Sequence, residues 1–236
     1  MTTFVVAHGA WSSGFAWKRM HPLMRARGHQ LFVPSLTGLG ERFHQTSPSV
    51  DLEMHIRDVC NVLFHEDLSD VVLIGHSYGG MVATGVADRM PERLRKLVYL
   101  DAFVPRDGES LFDRLPEAGR ANMLRGAQEQ GDGWRVPCTP LPEDTAPEDV
   151  DWIMPRRHPQ PIETVRQRLY LRHGETRLPR HYIYCLTPMM GDVFGQFAER
   201  ARSEPGWGYD EIPASHNPHI TVPETLAGLL DRIAGE

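Results

Sequence analysis

The chain has 236 residues, a formal net charge of −6, 41% hydrophobic residues and 24% charged residues. This length suits one large domain, or one domain that carries an insertion. The acidic balance gives no reason to expect nucleic acid or an anionic membrane as a partner. No run of about 18 apolar residues is present, so we expect no membrane-spanning helix.

Three widely spaced cysteines, Cys60, Cys138 and Cys185, are typical of reduced thiols and favour a cytoplasmic protein. The first residues enter an apolar strand without a preceding basic region, so we expect no signal peptide. The sequence leaves the oligomeric state open, a homodimer included.

Predicted strands and helices alternate over the first part of the chain. Residues 4–7 and 30–34 are short apolar stretches typical of buried strands. Apolar residues recur at helical spacing over 14–27 and over 52–63, so we expect one helix in each range. Asp51 is suited to cap the second of these helices.

A third predicted strand, at 71–74, runs directly into Gly75-His76-Ser77-Tyr78-Gly79, and a helical pattern follows. Strand, sharp turn and helix form the setting in which Gly-x-Ser-x-Gly presents an exposed serine hydroxyl. The turn forces its central residue into a sparsely populated backbone conformation, and the glycines let strand and helix approach closely. We therefore predict Ser77 as a nucleophile. The Tyr78 N–H, at the start of the helix, is a predicted oxyanion donor.

A further strand is predicted at 97–100 and ends at Asp101. Strands that alternate with helices indicate a parallel α/β sheet with helices on both faces. Such sheets bind ligands at the carboxyl ends of their strands. Ala10, Ser77 and Asp101 all follow predicted strands, so we expect them along one edge.

The alternation stops after Pro105, where prolines separate short apolar clusters up to about residue 178. The number of aromatic and aliphatic residues argues against a disordered linker. We predict a core of 1–104 and 179–236 with a small helical cap, 105–178, inserted before the last two strands. The predicted substrate contacts are Gly9, Trp11, Phe103, Trp134, Trp152 and Leu169.

The sheet pattern resumes at 181–186 and 208–212, and His216 lies in the loop before the last helix. A serine hydroxyl needs a base within hydrogen-bond reach, and the base needs an orienting acid. His216 occupies the place where this order of elements delivers the base. The N–H of Ala10, in the turn after the first strand, is the second predicted oxyanion donor.

A metal centre is not predicted. His216 and His219 are three residues apart, but Pro218 between them argues against a regular helical ligand pair. No other histidine or cysteine spacing suggests zinc.

Three segments carry a family resemblance: 8–11 (HGAW), 75–81 (GHSYGGM) and 97–105 (LVYLDAFVP). Together they resemble the plant methylesterase and hydroxynitrile lyase family, and look most like its bacterial esterase and pyrethroid-hydrolase-like members. The stretches 159–161 (PQP), 197–202 (FAERAR) and 206–209 (GWGY) extend the similarity over nearly the whole chain. The resemblance implies an α/β-hydrolase fold and carboxylic ester hydrolysis without a cofactor. Ser77 and His216 match the family's nucleophile and base, and Ala10 and Tyr78 match its oxyanion donors.

The catalytic acid departs from that resemblance. Plant members carry an aspartate a few residues after Tyr-Ile-x-Cys, and Pro188 occupies that position here. Asp101, at a strand end, and Asp192, four residues late in the usual loop, are the two candidates. We favour Asp101 because a strand end holds a carboxylate more firmly than a loop does.

Three functions remain open from the sequence. The first is a serine esterase for a small hydrophobic or aromatic ester. The second is a lyase or cyclase that uses the Ser/His pair as a base. Cyanohydrin cleavage is disfavoured because the family's lyases carry Thr where Gly9 stands and Lys where Asn217 stands. The third is a non-catalytic small-molecule binder.

Overall fold

A computed structural model describes residues 1–187 and 191–236. Pro188, the position of the family's usual acid, lies outside these residues. Within them the strands are β1 Thr3–Ala7, β2 Gln30–Phe32, β3 Val71–His76, β4 Leu94–Leu100, β5 Arg135–Val136, β6 Gln160–Pro161, β7 Arg180–Cys185 and β8 Trp207–Ile212. The α-helices are α1 Met20–Ala26, α2 Leu52–His65, α3 Gly79–Arg89, α4 Glu117–Gln130, α5 Pro147–Ile153, α6 Glu163–Arg166, α7 Gly195–Ser203, α8 Pro218–Thr221 and α9 Pro223–Gly235.

The main sheet has six strands in the order β2-β1-β3-β4-β7-β8, and all of their pairings are parallel. Alternate strand residues face opposite helical layers because side chains along a strand alternate between its two faces. Val5 and Leu73 join a core built with α2, α3 and α7. Val6 and Ile74 join a core built with α1 and α9. The predicted parallel α/β sheet with helices on both faces is confirmed.

The helix predicted over 14–27 is divided in the structure. A 3₁₀ turn covers Gly14–Trp17, and α1 begins only at Met20. Pro22 explains the division, because its ring would clash with the carbonyl four residues earlier in a continuous helix. In the first turn of α1 the missing N–H of Pro22 costs no helical hydrogen bond.

The chain between β4 and β7 contains α4, α5, α6 and the two-residue antiparallel ribbon of β5 and β6. Ile162 N–H donates to the Trp134 carbonyl beside this ribbon. Contacts between α6 and α2 join the segment to the sheet's helical layer. Segment 105–178 is thus packed against the strands and helices around it.

Candidate active site

Ser77 lies at the tip of the turn between β3 and α3, with φ at 56°. Its N–H donates to the Leu100 carbonyl at 3.3 Å, and its carbonyl accepts from Phe103 N–H at 3.1 Å. A Cβ atom on Gly79 would lie only 1.9 Å from the carbonyl oxygen of Ala7. The turn therefore requires glycine two residues after the serine, and the contacts with Leu100 and Phe103 hold Ser77 in its uncommon conformation.

Ser77, His216 and Asp101 form one hydrogen-bonded line. His216 Nε2 is 2.8 Å from Ser77 Oγ, and His216 Nδ1 is 2.7 Å from Asp101 Oδ2. A carboxylate only accepts, so the Nδ1–H donates to Asp101 and Nε2 accepts from the serine hydroxyl. This is the arrangement in which an imidazole can take the proton of a serine nucleophile.

Asp101 directly follows β4 and is 4% exposed. Its own N–H donates to the Ile183 carbonyl at 2.8 Å, and Oδ1 accepts from Cys185 N–H at 3.3 Å. These contacts with β7 hold the carboxylate, so Asp101 faces His216 from a fixed strand end.

Asp192 makes a different set of contacts. Its Oδ1 accepts from the Tyr184 hydroxyl at 2.8 Å and from Gly195 N–H at 3.0 Å, at the start of α7. Asp192 thus binds an N–H at the start of α7, and the structure pairs His216 with Asp101 instead.

Phe194 contacts His216, and no sequence pattern had indicated this contact. The two rings are stacked, with centroids 4.8 Å apart and an interplanar angle of 11°. Phe194 lies directly before α7, which begins at Gly195. The sequence feature that could have suggested the contact is an aromatic residue in a loop at the carboxyl edge of the sheet. Phe194 covers one face of the imidazole.

The backbone N–H groups of Ala10 and Tyr78 have no hydrogen-bond partner within residues 1–187 and 191–236. The Tyr78 side chain is fixed on α2, because its hydroxyl donates to His55 Nδ1 at 2.9 Å. The His55 Nε2–H in turn donates to the Thr37 carbonyl at 2.9 Å. The Tyr78 amide is therefore carried by a residue whose side chain is anchored through its hydroxyl.

Gln160 holds the turn that contains Ala10. Its Oε1 accepts from Trp11 N–H at 3.1 Å, and its Nε2–H donates to Thr164 Oγ1 at 2.7 Å. Gln160 is fully buried, and Trp11 has φ at 58°. No sequence pattern indicated this role, because Gln160 lies between two prolines in a segment without clear periodicity. Segment 105–178 thus fixes the backbone next to Ala10.

Two buried histidines lie behind the reacting groups. The His76 Nε2–H donates to the His216 carbonyl at 2.8 Å, and burial holds the pKa of His76 well below its usual range. His219 stacks on Trp17 with centroids 4.5 Å apart, and burial lowers its pKa to about 3. Both rings are therefore neutral at pH 7.

Two cavities meet at Ser77 and His216. The larger cavity is about 200 Å³. Its apolar lining residues are Ala10, Trp11, Phe103, Leu111, Leu115, Met123, Val165, Val193 and Phe194. The smaller cavity is about 60 Å³ and is lined in part by Gly9, His76, Arg157 and His219. A Cβ atom on Gly9 would lie 3.1 Å from His76 Nδ1, so the small residue leaves this side of Ser77 open.

Three of the predicted substrate contacts, Trp134, Trp152 and Leu169, line neither cavity. Trp134 packs under the Arg135 guanidinium, 5.1 Å from its ring centroid. Trp152 meets Phe15 edge-to-face at 5.7 Å on the α1 side of the sheet. Leu169 is buried against α3 near Gly85. These three side chains therefore pack against parts of the protein away from Ser77.

Of the predicted substrate contacts, Phe103 and Trp11 do line the larger cavity and Gly9 the smaller one. Segment 105–178 contributes Leu111, Leu115, Met123 and Val165 instead of the residues we expected from it.

No group of three or more His, Cys, Asp or Glu side chains among the described residues is arranged to hold a metal ion. None of the helices described by the structure combines the length and apolar character needed to cross a bilayer.

Comparison with known proteins identifies a family model. The model described as "Alpha/beta hydrolase family" matches residues 4–229. A carbendazim hydrolyzing esterase from Nocardioides sp. is 36% identical over 235 residues, covering 96% of this chain and 97% of the relative. A pyrethroid hydrolase from Sphingobium wenxiniae is 26% identical over 252 residues, covering 96% and 85% of the two chains.

Solved structures show the same fold. An extracellular alpha/beta-hydrolase from a Paenibacillus species superposes with a TM-score of 0.84 at 24% identity, covering 98% of each chain.

Proposed function

This chain belongs to the alpha/beta hydrolase family, and we propose that it is a serine esterase for a small hydrophobic or aromatic carboxylic ester. The observation that carries the proposal is the hydrogen-bonded line from Ser77 through His216 to Asp101. A histidine held between a serine hydroxyl and a buried carboxylate has the geometry of a general base for acyl transfer.

In the acylation step Ser77 Oγ attacks the ester carbonyl carbon while His216 Nε2 takes the hydroxyl proton. Asp101 keeps the proton on Nδ1 and stabilises the imidazolium that forms. The tetrahedral intermediate then collapses. The bond from the acyl carbon to the alkoxy oxygen breaks, and that oxygen takes the proton from Nε2. An acyl group remains on Ser77 and an alcohol departs.

The negative charge on the carbonyl oxygen is stabilised by the N–H groups of Ala10 and Tyr78. Both donors are unpaired within the described residues, and each belongs to a segment held by other contacts. Donors fixed before the reaction stabilise the developing charge without reorganisation.

In the deacylation step water is the nucleophile and Ser77 Oγ is the leaving group. His216 removes a proton from water, the resulting oxygen attacks the acyl carbon, and Ser77 Oγ leaves with the proton from Nε2. The products are a carboxylic acid and the free enzyme. No cofactor takes part in these steps.

The larger cavity takes the acyl group. Its aliphatic and aromatic walls and its volume of about 200 Å³ suit an apolar chain or a ring. Relatives named for carbendazim and pyrethroid hydrolysis support a preference for apolar or aromatic esters. Segment 105–178 acts as a cap, because four of its residues form part of this wall.

Cys60, Cys138 and Cys185 form no disulfide, which supports the cytoplasmic location that the sequence predicts. The sequence leaves a homodimer open. Light scattering tests it by showing whether the mass in solution corresponds to one chain of 26.7 kDa or to two.

Hydrolysis of p-nitrophenyl acetate by wild type and Ser77→Ala tests the function. We expect Ser77→Ala to lower kcat/KM at least about 10³-fold because the attacking group is gone. The control is Ser49→Ala, at an exposed serine outside both cavities, which should keep wild-type activity. Residual activity of Ser77→Ala within about tenfold of wild type would exclude Ser77 as the nucleophile.

A further inference from the structure

The two cavities share Ser77, His216, Ala10, Trp11 and Thr139 in their walls, so they meet where the ester carbon is attacked. A tetrahedral carbon on Ser77 Oγ carries the oxyanion and two further substituents, the acyl chain and the alkoxy group. When the oxyanion is bound by the N–H groups of Ala10 and Tyr78, one cavity is available for the acyl chain and the other for the alkoxy group.

Apart from the two backbone oxyanion donors, the polar side chains that line the larger cavity beside the catalytic residues are already paired. Asp101 is bound to His216, and the Tyr184 hydroxyl is bound to Asp192. A cavity whose polar groups are satisfied and whose other walls are apolar is a poor site for water.

The smaller cavity differs from the larger one because two buried histidine nitrogens in its wall lack a hydrogen-bond partner within the described residues. His76 Nδ1 and His219 Nδ1 have no hydrogen-bond partner within the described residues, and the two side chains are 4% and 2% exposed. His76 donates through Nε2–H, so its Nδ1 is an acceptor that lacks a donor. Buried polar atoms without partners are costly, and a bound polar group or water lowers that cost.

Arg157 adds a positive charge to the wall of the smaller cavity. Its guanidinium donates to the Thr139 carbonyl and lies 5.7 Å from the ring centroid of Trp11. No aspartate or glutamate forms an ion pair with it in the part of the chain that the structure describes. A half-buried guanidinium that cannot lose its proton favours an acceptor or an anion as its missing partner.

We propose that the smaller cavity receives the alkoxy side of the ester and then the hydrolytic water. Arg157 makes this cavity favour leaving groups that carry a carboxylate or carbonyl close to the ester oxygen. This inference rests on the proposed esterase function. Water enters where the alcohol has left, because both oxygens exchange a proton with His216 Nε2. The substrate class is thus an apolar acyl ester of a short alcohol bearing a hydrogen-bond acceptor.

Two esters of the same acid test this preference. Carboxymethyl hexanoate and isobutyl hexanoate have leaving groups of similar shape, and only the first carries a carboxylate. We expect wild type to favour the carboxymethyl ester in kcat/KM. Arg157→Met should lower the ratio of the two kcat/KM values at least about tenfold, because a charge-assisted hydrogen bond is lost. Arg157→Lys keeps the charge without the planar fork and should lower the ratio less.

Arg156 is the matched control. It neighbours Arg157 in sequence but is exposed and lines neither cavity. Arg156→Met should leave the ratio as in wild type. An unchanged ratio in Arg157→Met, or an equal fall in Arg156→Met, would overturn the inference.

A binding measurement separates this inference from the proposed function. Calorimetry with carboxymethyl hexanoate is carried out on Ser77→Ala and on Ser77→Ala combined with Arg157→Met or Arg157→Lys. We expect the Kd to rise at least about tenfold with Arg157→Met and by a smaller factor with Arg157→Lys. Equal affinities in all the folded proteins contradict the role of Arg157. Absence of ester turnover in wild type, with the affinity difference intact, contradicts only the esterase.

Discussion

His216 Nδ1 lies 2.7 Å from Asp101 Oδ2, although the two residues are 115 positions apart in the chain. Asp101 follows β4 and His216 follows β8, and β7 lies between those strands in the sheet. All three strands are parallel, so their carboxyl ends meet at one edge, where the loop after β8 reaches back to β4.

Asp101→Asn should lower kcat by about 10⁴ with little change in stability, because an amide does not hold His216 in the tautomer that accepts the serine proton. Asp192→Asn is the control and should keep nearly all activity. Steady-state kinetics and urea unfolding of both variants measure the two effects. The assignment is wrong if Asp192→Asn is the inactive variant.

Gln160→Leu should lower kcat about tenfold while KM changes little. The buried amide holds Trp11 N–H, and its loss lets the adjacent Ala10 donor move away from the oxyanion. Gln160→Glu keeps an acceptor for Trp11 and should recover part of kcat. A rise in KM alone would indicate a contact with bound substrate, and the exposed Gln196 offers a control as Gln196→Leu.

Met123→Trp should reduce hydrolysis of p-nitrophenyl hexanoate at least about tenfold more than hydrolysis of the acetate. The larger side chain fills the larger cavity, where Met123 forms part of the wall. Leu124→Trp, at the exposed neighbouring position, should leave the ratio of the two rates unchanged. Equal losses for both esters would place the acyl chain elsewhere.

Acid should destabilise the protein through its buried histidines. The pKa of His219 is lowered to about 3, whereas in the unfolded chain it is about 6.5. The unfolded state therefore binds a proton first, and the stability present above pH 6.5 is lost as the pH falls towards 3. His8 and His55, whose pKa values burial lowers to about 4, act in the same direction.

Replacing His219 by Phe keeps the ring stacked on Trp17 and removes the titration. Between pH 7 and pH 5 the free energy of unfolding of His219→Phe should fall by about 2 kcal/mol less than that of wild type. Urea unfolding at the two pH values measures this difference, and His65→Gln provides a control at an exposed histidine. Equal losses in wild type and His219→Phe would show that His219 is charged in the folded state.

Local signals account for the parts of the site that the sequence predicted. The apolar run before Ser77 and the glycines around it describe a strand, a turn and a helix within a few residues. The order of later elements placed Asp101 and His216 at the same edge, because parallel strands share their carboxyl ends.

The wall of the larger cavity could not be predicted in the same way. Trp134, Trp152 and Leu169 are large apolar residues of segment 105–178, and size alone does not say which surface buries them. Gln160 and Arg157 act through contacts with Trp11 and Thr139 that no local pattern contains. Such contacts depend on how segment 105–178 folds over the sheet. Its elements are short and irregular, so the sequence pattern does not predict that path.

Labelling of the protein with a fluorophosphonate, followed by peptide mass spectrometry, tests the central claim most directly. An activated serine beside a general base attacks the phosphorus centre, the P–F bond breaks, fluoride leaves, and the serine keeps the phosphonyl group. We predict one phosphonyl group per chain, on the peptide that contains Ser77, with loss of esterase activity in proportion to labelling. A label on another residue, or equal labelling of Ser77→Ala, would contradict Ser77 as the nucleophile.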